Sequence, residues 1–334
     1  MKDKILGTLY GQAIGDAMGM PSELWPRKKI QEYFGYITQF LEGPSSNNVA
    51  KNFKKGQFTD DTAQALVILD SLFENGFEPN EKLLADNLIT WGRKNHAFEE
   101  EIFGPSSKAA LLAISHSKSV SEVTDKAETN GSAMRISPVG LLFVTMQIKE
   151  LVEYVRRISV VTHSSDVAIA GAATIAAAVC AAKENFEWDD ILQYCYQAHD
   201  IGLEMGAATF SASIKARIKT GVKLAKKFKD DDEQFLQAVY DSIGSGVLLS
   251  ESVPAAVTIA YYSREVEKCA ILCANLGGDT DTIGAMATAI CGAKDGYKKI
   301  PQELIVQIDQ SNDYNIKEYA QVIYEYVSRK ESSQ

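Results

Sequence analysis

Leu276-Gly277-Gly278-Asp279-Thr280-Asp281-Thr282-Ile283-Gly284-Ala285-Met286-Ala287 is a tight glycine turn that feeds directly into an Ala-rich helical run. Asp279 and Asp281 stand two apart at the junction, so both carboxylates can face one centre beside the unpaired N–H groups of the first helical turn. A single Asp or Thr is enough to cap a helix. Four oxygen-bearing side chains in succession exceed that need, and the carboxylates would repel one another without a cation. A second cluster, Thr59-Asp60-Asp61-Thr62, also opens an apolar helix, more than two hundred residues earlier. The two clusters read as halves of one oxygen-rich metal site.

Outward from these junctions the chain reads as helix after helix. Residues 3–19 form a helix with Gly7, Gly11, Gly15 and Gly19 on one face. Glycine weakens a helix, so four aligned glycines predict a second backbone lying against that face. Pro21 ends this helix and leaves Asp16 and Glu23 near its terminus. Asp16 is balanced between a packing role and a site role, whereas Glu23 favours the site. After a polar loop over 37–57, Thr59 caps a helix to Asn75, and further helices are expected at 80–95, 108–116, 149–161 and 167–182. The remainder follow at 188–201, 205–229, 232–242, 254–262, 265–275, 281–294, 301–309 and 315–329. Alternating strand patterns, fixed-period repeats and low-complexity linkers are absent from the sequence. The expectation is an all-α chain forming one compact domain over 1–334.

The 334 residues are 46% hydrophobic with a net charge of −10. That charge argues against nucleic acid or an anionic membrane as partner. The lysine-rich stretch 215–229 reads as a solvated face. The five cysteines form no CxxC pair and sit in Ala- or Leu-rich stretches, as buried core residues of a reducing compartment do. The N-terminus has no apolar signal region, so the expected location is cytoplasmic. The apolar run Val167–Ala182 is too short for a membrane span and should be a buried helix.

The candidate metal ligands Thr59, Asp60, Asp61, Asp279, Asp281 and Thr282, with Glu23 nearby, are all hard oxygen donors. Such a set excludes a zinc-type site and favours Mg²⁺, with Mn²⁺ or Ca²⁺ next. So many carboxylates exceed what one Mg²⁺ takes from protein, and two ions sharing a bridging carboxylate balance the charge better. That arrangement orients vicinal hydroxyls and acidifies bound water, which is hydrolytic chemistry. No phosphate-binding Gly-Lys-Ser loop and no serine-hydrolase elbow is present. The turn Asn130-Gly131-Ser132-Ala133-Met134-Arg135 exposes consecutive N–H groups suited to an anion. His163, taken alone, is more readily a packed or capping residue than a catalyst.

Five motifs in order resemble the ADP-ribosylglycohydrolase family, which includes the dinitrogenase-reductase-activating glycohydrolase and the ADP-ribosyl-acceptor hydrolases. They are Gly11-x-x-x-Gly15-Asp16-Ala17-x-Gly19-x-Pro21-x-Glu23, Phe58-Thr59-Asp60-Asp61-Thr62, Asn130-Gly131-x-Ala133-Met134-Arg135, Thr162-His163 and Gly277-Gly278-Asp279-Thr280-Asp281-Thr282-x-Gly284-Ala285. The resemblance implies an all-α orthogonal multi-helix bundle with a binuclear Mg²⁺ centre, Mn²⁺ being the alternative ion. It makes Thr59, Asp60, Asp61, Asp279, Asp281 and Thr282 the ligands, with Asp61 and Asp281 also in the catalytic set. It puts Glu23 beside the metals as gate or acid–base group, the backbone amides of Gly131 and Ser132 against a diphosphate, and His163 in the substrate pocket. The implied reaction is hydrolysis at the anomeric carbon of an ADP-ribosyl group, free or attached to a protein. Two features depart from the arginine- or serine-specific members. The neighbours of Gly104 are Ile102 and Phe103, with acids only at Glu99, Glu100 and Glu101. The run Gly11–Trp25 and the 37–57 loop resemble an uncharacterised bacterial branch, for which a small nucleoside-like N-glycoside is the alternative substrate. A non-catalytic ADP-ribose or nucleotide sensor is the rival from another class, and the complete acid set weighs against it.

Overall fold

The computed structural model describes residues 1–100 and 102–332. Among them are seventeen α-helices joined by short 3₁₀ turns, with only isolated β-bridges and no named strand. The all-α class expected from the sequence is observed.

The first helix, Lys2–Gly19, lies antiparallel against the helix Thr280–Asp295. The glycine face makes this possible. A Cβ added at Gly7, Gly11, Gly15 or Gly19 would collide with the carbonyl group of Gly292, Thr288, Gly284 or Thr280, in that order. Both partners step by four residues, so the two helices contact backbone to backbone along their length. Thr288 Oγ1 closes the seam by donating to Gly11 O and Gly284 O, each at 2.6 Å.

The Ala-rich helix Asp166–Lys183 packs against the 280–295, 188–203 and 148–159 helices. It is long and apolar enough to cross a membrane, but 94% of its span is buried inside the fold. The expectation of a core helix therefore holds. The C-terminal helices return to the first one: Tyr10 donates to Asp309 at 2.5 Å, and the 316–332 helix packs alongside.

Helix starts differ from the sequence reading: the helix expected over 108–116 runs Pro105–Ser115 with Pro105 at its first turn, and two further starts shift by more. The helix expected over 205–229 runs Ile214–Lys227, because residues ahead of it are tied to the 164–166 turn. Ala207 O accepts from Asp166 N and Ala207 N donates to Ser164 O, and Ser213 then provides a fresh cap. The helix expected from 254 begins at Leu249 and carries Pro254 inside it. Proline removes the amide that would bond Ser250 O; Arg217 Nη1 fills the gap at 2.6 Å.

Gly15→Ala tests the seam. On an open helix face this change stabilises by about 1 kcal/mol. Here the added methyl meets Gly284 O and Thr288 Oγ1, so we expect a loss of about 1–3 kcal/mol in chemical denaturation. Gly104→Ala meets nothing within 4 Å and changes only the N-cap of the Pro105–Ser115 helix, so it should cost no more than about 1 kcal/mol.

Candidate active site

The helical seam sets the end of the first helix beside the start of the 280–295 helix. Thr280 Oγ1 donates to Gly19 O at 2.8 Å, and Ser22 Oγ donates to Ala274 O at 2.7 Å. Beyond that point Leu24 N and Trp25 O bond the backbone of Gly278. Gly278 has φ +81°, and a Cβ there would strike the Ser245 carbonyl, so the turn demands glycine. These contacts hold Glu23 opposite Asp279 and Asp281.

The second acid cluster is docked by Asp16. One carboxylate oxygen accepts from Thr59 N at 2.8 Å; the other accepts from Thr62 N at 3.0 Å and Thr62 Oγ1 at 2.6 Å. Asp16 thus satisfies free amides of the Asp60–Glu74 helix from a different helix, which ties Thr59-Asp60-Asp61 to the first helix.

The two clusters meet. Thr282 Oγ1 lies 3.1 Å from each oxygen of Asp61, and Thr59 Oγ1 lies 3.4 Å from Asp61 and 3.5 Å from Asp281. Asp16, Asp61 and Asp281 bring carboxylate oxygens within 4.8 Å of one another, and so do Glu23, Asp279 and Asp281. Asp281 belongs to both groups, and its Oδ1 is buried without a hydrogen-bond partner. An orphaned carboxylate oxygen among hard-oxygen donors fits a site that could hold a divalent cation.

These carboxylates are held far from their ordinary behaviour. Burial, with Asp16 next, raises Asp60 to about 7; burial alone raises Asp16 and Asp279 to about 6 against its hydrogen bonds. Burial followed by neighbouring carboxylates pushes Glu23, Asp61 and Asp281 well above the usual range.

A cavity of about 400 Å³ opens onto the cluster. Its lining includes Glu23, Asp60, Asp61, Asp279, Asp281 and Thr282, together with Lys108, Thr129, Asn130 and Gly131. Thr59 faces an adjoining groove that shares Asp60 with the cavity. Ser132 does not reach the cavity: it is buried and its Oγ donates to Ala168 O at 3.2 Å. His163 is wholly buried behind Gly131, where an added Cβ would lie 2.8 Å from His163 Cε1. Glu99 and Glu100 are exposed and line no part of the cavity, and Glu101 lies outside the described residues.

Sequence reasoning missed three supporting side chains. Asn130 Nδ2 donates to Asp279 Oδ2 at 2.5 Å, Gln64 Nε2 donates to Asp60 Oδ2 at 2.5 Å, and the buried Arg135 donates to Gln64 Oε1 at 2.6 Å. Gln64 follows Asp60 by four residues on one helix, a spacing that could have signalled the pair. Nothing local signals the reach of Asn130 to Asp279.

The ADP-ribosylglycohydrolase model matches residues 1–332. The chain belongs to the ADP-ribosylglycohydrolase family. Membership makes it a hydrolase acting on glycosidic bonds. It is 41% identical to the uncharacterized protein YegU of Escherichia coli (strain K12), over 99% of both chains. It is 26% identical to the ADP-ribosylhydrolase ARH3 of Xenopus tropicalis, over 88% of both. A solved structure titled as an ADP-ribosylglycohydrolase-related protein complex superposes with a TM-score of 0.73 at 22% identity, covering 98% of each chain. That likeness shows the fold.

The raised carboxylates give the metal-free chain an unusual pH response. Asp16 and Asp279 keep their protons to about 6 and Asp60 to about 7 when folded, against 3.8 as the ordinary value. The folded state therefore binds more protons through that window, and this cluster's contribution to stability falls as pH rises across it. Chelator-treated protein should show that loss in thermal melts from about pH 5 to about pH 7.5, and a divalent cation should restore stability mainly at the higher pH. A melting temperature indifferent to cation at both pH values would contradict this.

Proposed function

We propose that the chain hydrolyses the bond between the anomeric carbon of an ADP-ribosyl group and its leaving group, at the cavity between Glu23 and Gly131. The observation that carries this reading is the meeting of both acid clusters at Asp281 with a partnerless oxygen. Thr59, Asp60, Asp61, Asp279, Asp281 and Thr282 would hold two divalent cations, Mg²⁺ or Mn²⁺, with Asp281 shared. Bound there, the cations neutralise the carboxylates and polarise the ribose diol and the attacking water.

The chain's own residues supply the rest. Glu23, half-buried at the cavity edge, accepts a proton from water. The water oxygen bonds to the anomeric carbon as the bond to the leaving group breaks with its electron pair, and the proton passes on to the departing heteroatom. Asn130 holds Asp279 in place, and the amide of Gly131 with Lys108 faces the diphosphate. Membership of the family supports an ADP-ribosyl small molecule or ADP-ribosylated protein as partner, and the acidic net charge weighs against nucleic acid or an anionic membrane. Five free, buried cysteines support a cytoplasmic location. Packing of both chain ends onto the same helical seam supports a single domain over 1–334.

The test is turnover of ADP-ribosyl-arginine, ADP-ribosyl-serine, O-acetyl-ADP-ribose and free nucleosides, each with Mg²⁺, Mn²⁺ or chelator. Cation-dependent release of ADP-ribose from at least one conjugate is expected; turnover of nucleosides alone would favour the N-glycoside reading. Asp281→Asn should lose cation binding and nearly all activity while keeping its helical fold. Glu23→Gln should still bind ADP-ribose but turn over roughly 10²-fold more slowly. Near-normal single-turnover rates would remove Glu23 from the mechanism.

A further inference from the structure

A chain of buried and half-buried polar groups runs from Asp60 to the Thr129–Gly131 segment. Arg135 Nη1 donates to Gln64 Oε1 at 2.6 Å, and Gln64 in turn holds Asp60. Arg135 Nη2 donates to Thr162 Oγ1. Thr162 Oγ1 lies 2.8 Å from His163 Nδ1, and His163 Nε2 lies 3.1 Å from Thr129 Oγ1. Thr129 Oγ1 donates to Ser106 Oγ at 3.0 Å. Asp60 and Thr129 both line the cavity.

Donor arithmetic gives this chain a direction. A guanidinium only donates, so Thr162 Oγ1 accepts from Arg135 and has one proton left to give. The neighbouring acceptor is His163 Nδ1. If Nδ1 carried the proton instead, Thr162 would accept twice and bury a donor without a partner, which costs about 1–3 kcal/mol. With Nδ1 accepting, Nε2 carries the proton and donates to Thr129, whose own proton goes to Ser106. Both threonine hydroxyls then give one bond and take one. Burial and then Arg135 also push the imidazole down to about 3, which keeps it neutral.

We infer that His163 is a positioning residue, locked by Thr162 as the neutral Nε2–H tautomer, and that it holds the Thr129–Gly131 wall at a fixed distance from Asp60 for the substrate's phosphates. The imidazole acts through Thr129 and through its contact with Gly131, not by touching substrate. The substrate half of this inference rests on the function proposed above; the tautomer does not.

Long-range ¹H–¹⁵N correlation on ¹⁵N-histidine protein reads the tautomer directly, with the His163 signal among 4 histidines assigned by its loss in His163→Asn. The expected pattern is Nε2–H at about pH 7, unchanged down to about pH 5. An Nδ1–H or doubly protonated ring overturns the inference. Thr162→Val should scramble that signature, weaken ADP-ribose binding and raise KM about tenfold, with kcat within about threefold. Thr162→Ser should restore both. A Thr162→Val protein with unaltered tautomer and KM, or with kcat lost at constant KM, also overturns it. If Thr162→Val does not fold, the wild-type spectrum still decides. A wild-type chain that has the Nε2–H tautomer but does not bind ADP-ribose defeats the reading of the site and the substrate half of this inference, leaving only the hydrogen-bond relay standing.

Discussion

The contact on which the rest of this structure depends is the glycine-lined approach of the first helix to the 280–295 helix. Hydrogen atoms in place of side chains at Gly7, Gly11, Gly15 and Gly19 let one backbone rest on another. The benefit is positional as much as energetic. The same seam that fills the core fixes the register between Asp16 and Glu23 on one segment and Asp279 and Asp281 on the other. A slide by one helical turn would move these acids about 5.4 Å apart and separate the triads that share Asp281.

The cost of this arrangement is electrostatic. Removing Asp16, Glu23, Asp61, Asp279 and Asp281 from water while crowding them raises every one of their proton affinities. A fold selected for stability alone would replace such a cluster by apolar side chains. Hydrogen bonds offset part of the cost: Asp16 is satisfied by Thr59 and Thr62, Asp279 by Asn130, and Asp60 by Gln64. Asp281 Oδ1 has no such partner. The uncompensated charge therefore lies where the two halves of the site join, where a bound cation would supply what the protein leaves out.

The sequence carried the helical class and the glycine face clearly, because both are periodic signals that act over one turn. It also carried the acid clusters, since repeated Asp and Thr at helix starts exceed any capping need. What it could not carry was reach. Asp16 looked evenly balanced between packing and site because its partners, Thr59 and Thr62, are more than forty residues away. His163 sits in a motif that suggests ligand contact, yet its side chain is buried behind Gly131. Helix starts shifted for similar reasons. Pro254 reads as a beginning until Arg217 is seen to satisfy the carbonyl that it frees.

The relatives place the chain in a family of hydrolases, and the site proposed here turns on the geometry around Asp281. Crystals soaked in Mn²⁺ and measured for anomalous scattering at the manganese edge address that geometry most directly. The account predicts two anomalous peaks, one on each side of Asp281, among oxygens of Thr59, Asp60, Asp61, Asp279 and Thr282. Peaks elsewhere, or none at a pH where the carboxylates are ionised, would contradict it.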